Sequence, residues 1–268
     1  GESWVVYNVS NSDLLDDYAW FITVDNEDKL WIGTQFGGMA NFDGIDWKIY
    51  DTNNSLIPGN KVWSIAIDKY NIKWIGTGNG LAKFDGVEWE IFNSDNSDLP
   101  VNFVRTVVID NNNKWIGTFG GGLVKYDGVS WMSYNDSNSG LPENYIWSLV
   151  VDIEDHVWIG TYNGYLAEFD GTNWWVKNSD NFDVKFNSPI WDIVIDGQGN
   201  KWIGTGLGLA VFRDGGIDIT NIDESFSTNP TEFSISQNYP NPFNAFTGIV
   251  FALSKLSPVK IIIYNSRG

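Results

Sequence analysis

The chain has 268 residues, 43% hydrophobic and 16% aromatic, with 15 Trp, no Cys and a single His. Sixteen Lys and Arg stand against 34 Asp and Glu. The resulting net charge of −18 repels phosphate backbones and anionic lipid alike, which argues against nucleic-acid binding and membrane docking. Without Cys there are no disulfides, thiolate nucleophiles or Cys-based zinc sites, and His156 alone makes neither a multi-His metal site nor a good catalytic triad. No apolar run approaches the roughly 20 residues of a membrane-spanning helix.

In chain order, the first recognisable element is Ser3-Trp-Val-Val-Tyr7, which matches Asp46-Trp-Lys-Ile-Tyr50 further on. The string Trp-Ile-Gly-Thr then occurs five times, starting at Trp31, Trp74, Trp115, Trp158 and Trp202, with gaps of 43, 41, 43 and 44 residues. A repeat of this period marks a repeat architecture. Each unit predicts four short strands. The first is apolar and ends in Asp (Trp63–Asp68, Trp147–Asp152), and the second carries Trp-Ile-Gly-Thr. The third follows a Gly-rich loop, as in Leu81–Phe84. Asp-Gly then predicts a two-residue hairpin, at Asp43-Gly44, Asp85-Gly86, Asp127-Gly128, Asp170-Gly171 and Asp214-Gly215. The fourth strand brings a further Trp: Trp47, Trp89, Trp131, Trp174. No segment keeps a 3.6-residue period, so no helix is predicted.

Four antiparallel strands per unit of about 42 residues predict an all-β, five-bladed β-propeller over residues 1–220. The last unit has only a weak fourth strand, Ile217–Thr220. Residues 3–7 are therefore expected to supply it, as an N-terminal strand clasp that closes the ring and hides an edge. The alternative is a segment of a longer array.

From residue 221 the pattern stops. Residues 221–231 read as a linker. Residues 232–268 hold one acid (Glu232), three bases (Lys255, Lys260, Arg267) and no Trp. They predict a partial β-sandwich-like tail with strands at Ile249–Leu253 and Val259–Tyr264, and Pro240 and Pro242 bar a central strand before them. The chain starts at Gly1 with no signal peptide, as a mature or trimmed chain would.

The repeats resemble two-component regulator propeller repeats, in Trp-Ile-Gly-Thr, Gly-Leu, Phe-Asp-Gly and the Leu-Pro loops at Leu99-Pro100 and Leu141-Pro142. That resemblance implies a sensory or ligand-binding propeller, of a kind that often precedes a membrane-anchored histidine kinase. Gln237-Asn-Tyr-Pro-Asn-Pro-Phe-Asn244 resembles the C-terminal sorting domain of the type IX (Por) secretion system, although Ala245 and Ser254 stand where that family commonly has Pro. It implies export by that machinery to the bacterial exterior or outer-membrane surface.

A propeller gathers loops at the mouth of its tunnel. The loops between second and third strands bring Phe36, Phe119 and Tyr162; the starts of the first strands bring Trp20, Trp63, Arg105, Trp147 and Trp191. Aromatic faces stack on sugar rings and cations, while blade packing is the competing role. Arg105, alone among four Trp, is suited to a bidentate carboxylate or to a salt bridge with a neighbouring Asp. Asp25, Asp68, Asp110, Asp152 and Asp196 end the first strands and are expected to close turns. Calcium is the alternative, without a matching ligand spacing; no cofactor is assigned, and His156 reads as a surface turn residue. The expected function is a secreted or surface-attached, non-catalytic, monomeric module binding a glycan at an aromatic mouth. The alternatives are a protein-interaction or sensor scaffold and a polysaccharide-degrading enzyme, for which Tyr162 would be the residue to test.

Overall fold

A computed structural model describes residues 4–177 and 188–213, and the backbone of residues 234–235 and 251–252. The chain divides into two compact units, Gly1–Gly215 and Gly216–Gly268. The first is an all-β, five-bladed β-propeller, with no helix among the described residues.

Four blades are antiparallel meanders of four strands in sequence order. Blade 1 is β1 (Ala19–Val24), β2 (Leu30–Thr34), β3 (Met39–Phe42) and β4 (Trp47–Tyr50). Blade 2 is β5 (Val62–Ile67), β6 (Lys73–Thr77), β7 (Gly80–Phe84) and β8 (Trp89–Phe92). Blade 3 is β9 (Val104–Asp110), β10 (Asn113–Thr118), β11 (Leu123–Tyr126) and β12 (Trp131–Tyr134). Blade 4 is β13 (Ile146–Val151), β14 (Val157–Thr161), β15 (Leu166–Phe169) and β16 (Trp174–Lys177). Blade 5 has three described strands, β17 (Ile190–Ile195), β18 (Lys201–Thr205) and β19 (Gly208–Phe212). In the second unit only the pair β20 (Ser234–Ile235) and β21 (Phe251–Ala252) is described. Asp214-Gly215, the strand at Ile217–Thr220, the linker and most of the predicted tail lie outside the described residues.

The repeated sequence is a repeated contact. Within a blade, the aromatic ending the third strand stacks on the Trp opening the fourth: Phe42–Trp47, Phe84–Trp89, Tyr126–Trp131 and Phe169–Trp174, with centroids 4.2–4.4 Å apart. The last aromatic of each fourth strand packs on that pair in the next blade, Tyr50 on Phe84 and Trp89, Phe92 on Tyr126 and Trp131, Tyr134 on Phe169 and Trp174. The Trp of Trp-Ile-Gly-Thr lies beneath, its indole N–H donating to the Asp that ends the first strand: Trp31 to Asp25, Trp74 to Asp68, Trp158 to Asp152 and Trp202 to Asp196. The Thr hydroxyl closes the following loop, donating to a Gly carbonyl in four blades and accepting the Tyr165 N–H in blade 4.

Blade 3 departs from this frame, and its turn shows why. Asp and Trp are six residues apart in the other blades and five apart in Asp110–Trp115. The Asp110 carboxylate accepts from the Asn111 amide instead, and the Trp115 indole N–H has no acceptor. The next blade follows suit. Lys73 and Lys201 reach back to the previous blade's Asp and Trp, with Lys73 Nζ 3.3 Å from Asp25 and 4.8 Å from the Trp31 ring. Lys201 Nζ lies 3.7 Å from Asp152 and 4.5 Å from the Trp158 ring. Facing blade 3, the same position is the buried Val157, while Lys114 of blade 3 lies 4.7 Å from the Trp74 ring and donates to the Asn112 carbonyl.

Two expectations are corrected. The Asp-Gly turns are four-residue loops (43–46, 85–88, 127–130, 170–173) rather than two-residue hairpins. Only the Gly has positive φ, from 94° to 108°. The Asp stays outside that region and uses its carboxylate to accept two backbone N–H groups, as Asp43 does from Ile45 and Asp46.

Among the described residues the closed ring and its clasp are also not formed. Trp4–Tyr7 carries no strand, and Trp4 is 94% exposed. Its equivalence to a fourth strand is nonetheless real. Tyr7 packs on Phe42 and Trp47 as Tyr50 packs on Phe84 and Trp89. Residues 6–17 also repeat the hydrogen bonds of residues 49–60, down to Asp17 accepting from Val9 as Asn60 accepts from Thr52. Residues 4–7 thus serve the near side of blade 1 without completing blade 5. Trp202 is 37% exposed where its four equivalents are 0–4%, and Ile22 and Val24 on β1 are exposed too. Among the described residues, both end blades keep exposed apolar side chains on one face.

Candidate functional site

The sequence places Trp20, Trp63, Arg105, Trp147 and Trp191 at the second position of five equivalent strands. In every blade the ladder register skips this residue. The shift falls between Ala19 and Phe21, Val62 and Ser64, Ile146 and Ser148, and Ile190 and Asp192, and Thr118 pairs Val104 while Gly117 pairs Thr106. Each is therefore a β-bulge residue, and a bulge re-aims its side chain out of the alternation of the strand.

The re-aimed side chains meet. The Trp20 and Trp63 rings lie 3.9 Å apart by centroid. The Arg105 guanidinium lies between two indoles, 4.9 Å from the Trp63 ring and 4.5 Å from the Trp147 ring. Trp147 meets Trp191 edge-on at 5.0 Å. The loop residues join this row: Phe119 packs on Trp147 and Tyr162, and Tyr162 on Trp147. Phe36 lies with Trp63, Lys61, Asn79 and Phe103 around a cavity of about 500 Å³, with the Lys61 ammonium 5.4 Å over its ring. The structure brings all eight residues into one arc across the blades.

Four contributors escaped the sequence reading. Lys61, Phe103 and Tyr145 each precede a first strand, and Phe103 bridges Trp63 and Phe119 while Tyr145 packs on Phe119. Aligning that column of the repeat (Tyr18, Lys61, Phe103, Tyr145) would have found them. Asp192, the fourth, stands where other blades have Phe21, Ser64, Thr106 and Ser148.

The frame is rigidly tied. The loop after each second strand donates a backbone N–H to the residue before the first strand, Gln35 to Tyr18, Gly78 to Lys61, Phe119 to Phe103 and Tyr162 to Tyr145. Buried acids pin two of these loops. Asp16 accepts from the Phe36 N–H at 2.6 Å, and Glu143 accepts from the backbone and side-chain amides of Asn163.

The electrostatics centre on Arg105. Burial pulls its pKa down to about 10, against the pull of Asp192, and it stays cationic at neutral pH. Among the described residues no carboxylate lies within ion-pair distance, and its Nε–H has no acceptor. Its buried Nε–H and the buried indole N–H groups of Trp63 and Trp147 all lack acceptors. A buried donor left unpaired costs about 1–3 kcal/mol, so three around one cation are unusual. Among the described residues no group of three His, Asp or Glu is placed to hold a metal. His156 lies away from this arc, its Nδ1 2.9 Å from Glu168 on β15.

The fold defines a β-propeller, and one family description, two component regulator propeller, matches it over residues 140–163. No curated protein matches. Among solved structures, the chain is similar to the extracellular domain of the hybrid two component system BT3049 from B. thetaiotaomicron, with 27% identity, a TM-score of 0.65, and coverage of 83% of this chain and 29% of that one. The extracellular domain of BT4673 from the same organism has 21% identity and a TM-score of 0.52, over 76% of this chain and 34% of that one. PorZ of Porphyromonas gingivalis, a surface component of the type-IX secretion system, has 21% identity and a TM-score of 0.57, over 72% and 32%. At 21% the likeness shows the fold alone. The chain spans less than half of each of these proteins.

Proposed function

We propose that this chain is a non-catalytic binding or sensor module acting outside the cell, and that its ligand is a glycan held on the aromatic arc. The observation that carries the reading is the arc itself: five bulge residues, one per blade, leave the core to build a single surface of indole faces around a cation. Trp20 and Trp191, 40% and 50% exposed, offer faces of the kind on which sugar rings stack. Extracellular two-component propellers and PorZ as structural neighbours support a location at or beyond the cell surface. The Gln237–Asn244 motif supports passage through type IX machinery.

The test is a binding screen of the whole chain against neutral and acidic polysaccharides, with calcium and with chelator, read by Trp fluorescence and product analysis. The expected result is binding without products, weakened at least tenfold in Trp63→Ala and Trp147→Ala variants that keep their β-sheet circular dichroism. Silence across the panel overturns the glycan reading and leaves a protein partner as the occupant of the mouth. Released products overturn the non-catalytic one.

A further inference from the structure

We infer that the arc selects an acidic sugar, a hexuronate whose carboxylate is received by Arg105. This rests on the glycan reading above and specifies its ligand class.

The argument starts from what is missing around Arg105. Some cations on this propeller have carboxylate partners, Lys29 with Glu27, Lys83 with Glu90, Lys73 with Asp25 and Lys201 with Asp152. Arg105 is half-buried between two indoles and has no ion pair among the described residues. Asp192 on β17 acts on it only through space, beyond ion-pair distance. Lys61, at the cavity beside Trp63, also has no ion pair.

The unpaired groups are all donors. Trp63 Nε1, Arg105 Nε and Trp147 Nε1 sit on three consecutive blades with a guanidinium in the middle. The one other orphan of this kind, Trp115 Nε1, has a local cause in the shortened β9–β10 turn. These three have no such cause, because their strands carry the same bulge as blades 1 and 5. These three N–H groups are closed to solvent and steady the cation, so what is left for a ligand is the charge and the outer nitrogens of a guanidinium with no carboxylate beside it, which an acceptor-only anion complements. The terminal guanidinium nitrogens, which are not among the buried unpaired atoms, present the fork that a planar carboxylate fills bidentately. The two indoles that sandwich the guanidinium hold that fork in place. Trp20 and Trp191 flank it with exposed faces for the rings of a saccharide.

The site is small against the molecule's charge. At −18 the chain repels a polyanion at long range, so affinity has to come from these close contacts. Asp192 opposes the ligand from across the site, and removing its charge is expected to strengthen binding.

The experiment uses the full chain with oligogalacturonate and oligoglucuronate, each as free acid and as full methyl ester, by isothermal titration calorimetry at neutral pH. The inference expects at least one free acid to bind at least tenfold more tightly than its ester. Arg105→Met loses that preference, Arg105→Lys keeps part of it, and Asp192→Asn tightens the acid. Equal binding of acid and ester, or an Arg105→Met variant that folds and keeps the preference, overturns it. If Arg105→Met does not fold, the acid–ester comparison on the unaltered chain and Arg105→Lys decide. Neutral glycans binding in a Trp63-dependent way with acids no better removes the acidic ligand and keeps the glycan reading. No binding by either class removes both.

Discussion

The Gly of Trp-Ile-Gly-Thr sits where one blade meets the next. A Cβ on Gly33, Gly76, Gly117 or Gly160 would come within 2.9 Å of Val62, Val104, Ile146 or Ile190, the first residue of the following blade's inner strand. On Gly204 it would meet nothing closer than 3.8 Å. One tetrapeptide therefore contains its own control. Gly117→Ala is expected to destabilise by about 1–3 kcal/mol through overpacking, and Gly204→Ala to change stability by less than about 0.5 kcal/mol, measured by urea unfolding. A second test concerns Asp25. Burial alone would raise its pKa, but the Trp31 indole, the backbone N–H groups of Glu27 and Lys29, and the Lys73 ammonium outweigh it and hold the pKa down to about 2. The folded value lies below the ordinary one near 4, so the stabilisation is complete above about pH 4 and lost as pH falls towards 2. It amounts to about 2 kcal/mol. Asp25→Asn should flatten this acid limb in a pH series of urea midpoints. His156 behaves oppositely. Burial lowers its pKa, but Glu168, Asp152 and Glu154 together raise it above 6.5, so its pair with Glu168 is kept at lower pH and lost as pH rises through the raised value.

Strands and loops divide into what a repeat announces and what it conceals. Five copies of one tetrapeptide, each followed by an aromatic-Asp-Gly or its equivalent, made the four-strand unit readable, because every strand carries the same contact in each blade. The Asp-Gly loops were misread because the dipeptide favours two geometries. Only the structure shows that the Asp carboxylate, by taking two backbone donors, removes the need for a second positive φ. Asp127→Ala should therefore lower the melting temperature by a few degrees, while Asp127→Asn, which keeps Oδ1 as acceptor from Val129 and Ser130, should retain most of it. The bulges were not readable either. A single-residue offset in register has no composition of its own, although the residues it re-aims had been singled out by their position in the repeat. The shortened β9–β10 turn was visible in the 41-residue gap, but its effect on Trp115 and Val157 depends on a contact between blades.

Across the propeller, the described interfaces join consecutive blades, and each is the same contact made again. Stability in such an array is close to a sum of blade and nearest-neighbour terms. Blades 2, 3 and 4 have two neighbours, and blades 1 and 5 have one. Amide hydrogen exchange, followed by mass spectrometry, should show β17, β18 and β19 exchanging before β9 and β10. Uniform protection would mean that something covers the open faces in solution. Closure of the ring was not readable because each strand carries the same apolar signal whether or not a neighbour is present. Exposure of Trp202 against burial of its four equivalents is a property of the assembled array.

The bulges have a consequence for how such a protein changes over time. A residue skipped by the ladder is free of the ladder's demands: its side chain joins the arc, while its neighbours on either side continue the strand. A substitution there can therefore change the arc one blade at a time while the strand that displays it keeps its pairing. Arg105 fits that description, a cation in a column otherwise of Trp, in a strand that still pairs, packs and turns like its siblings. The arc and the architecture are written on separate letters of the same repeat.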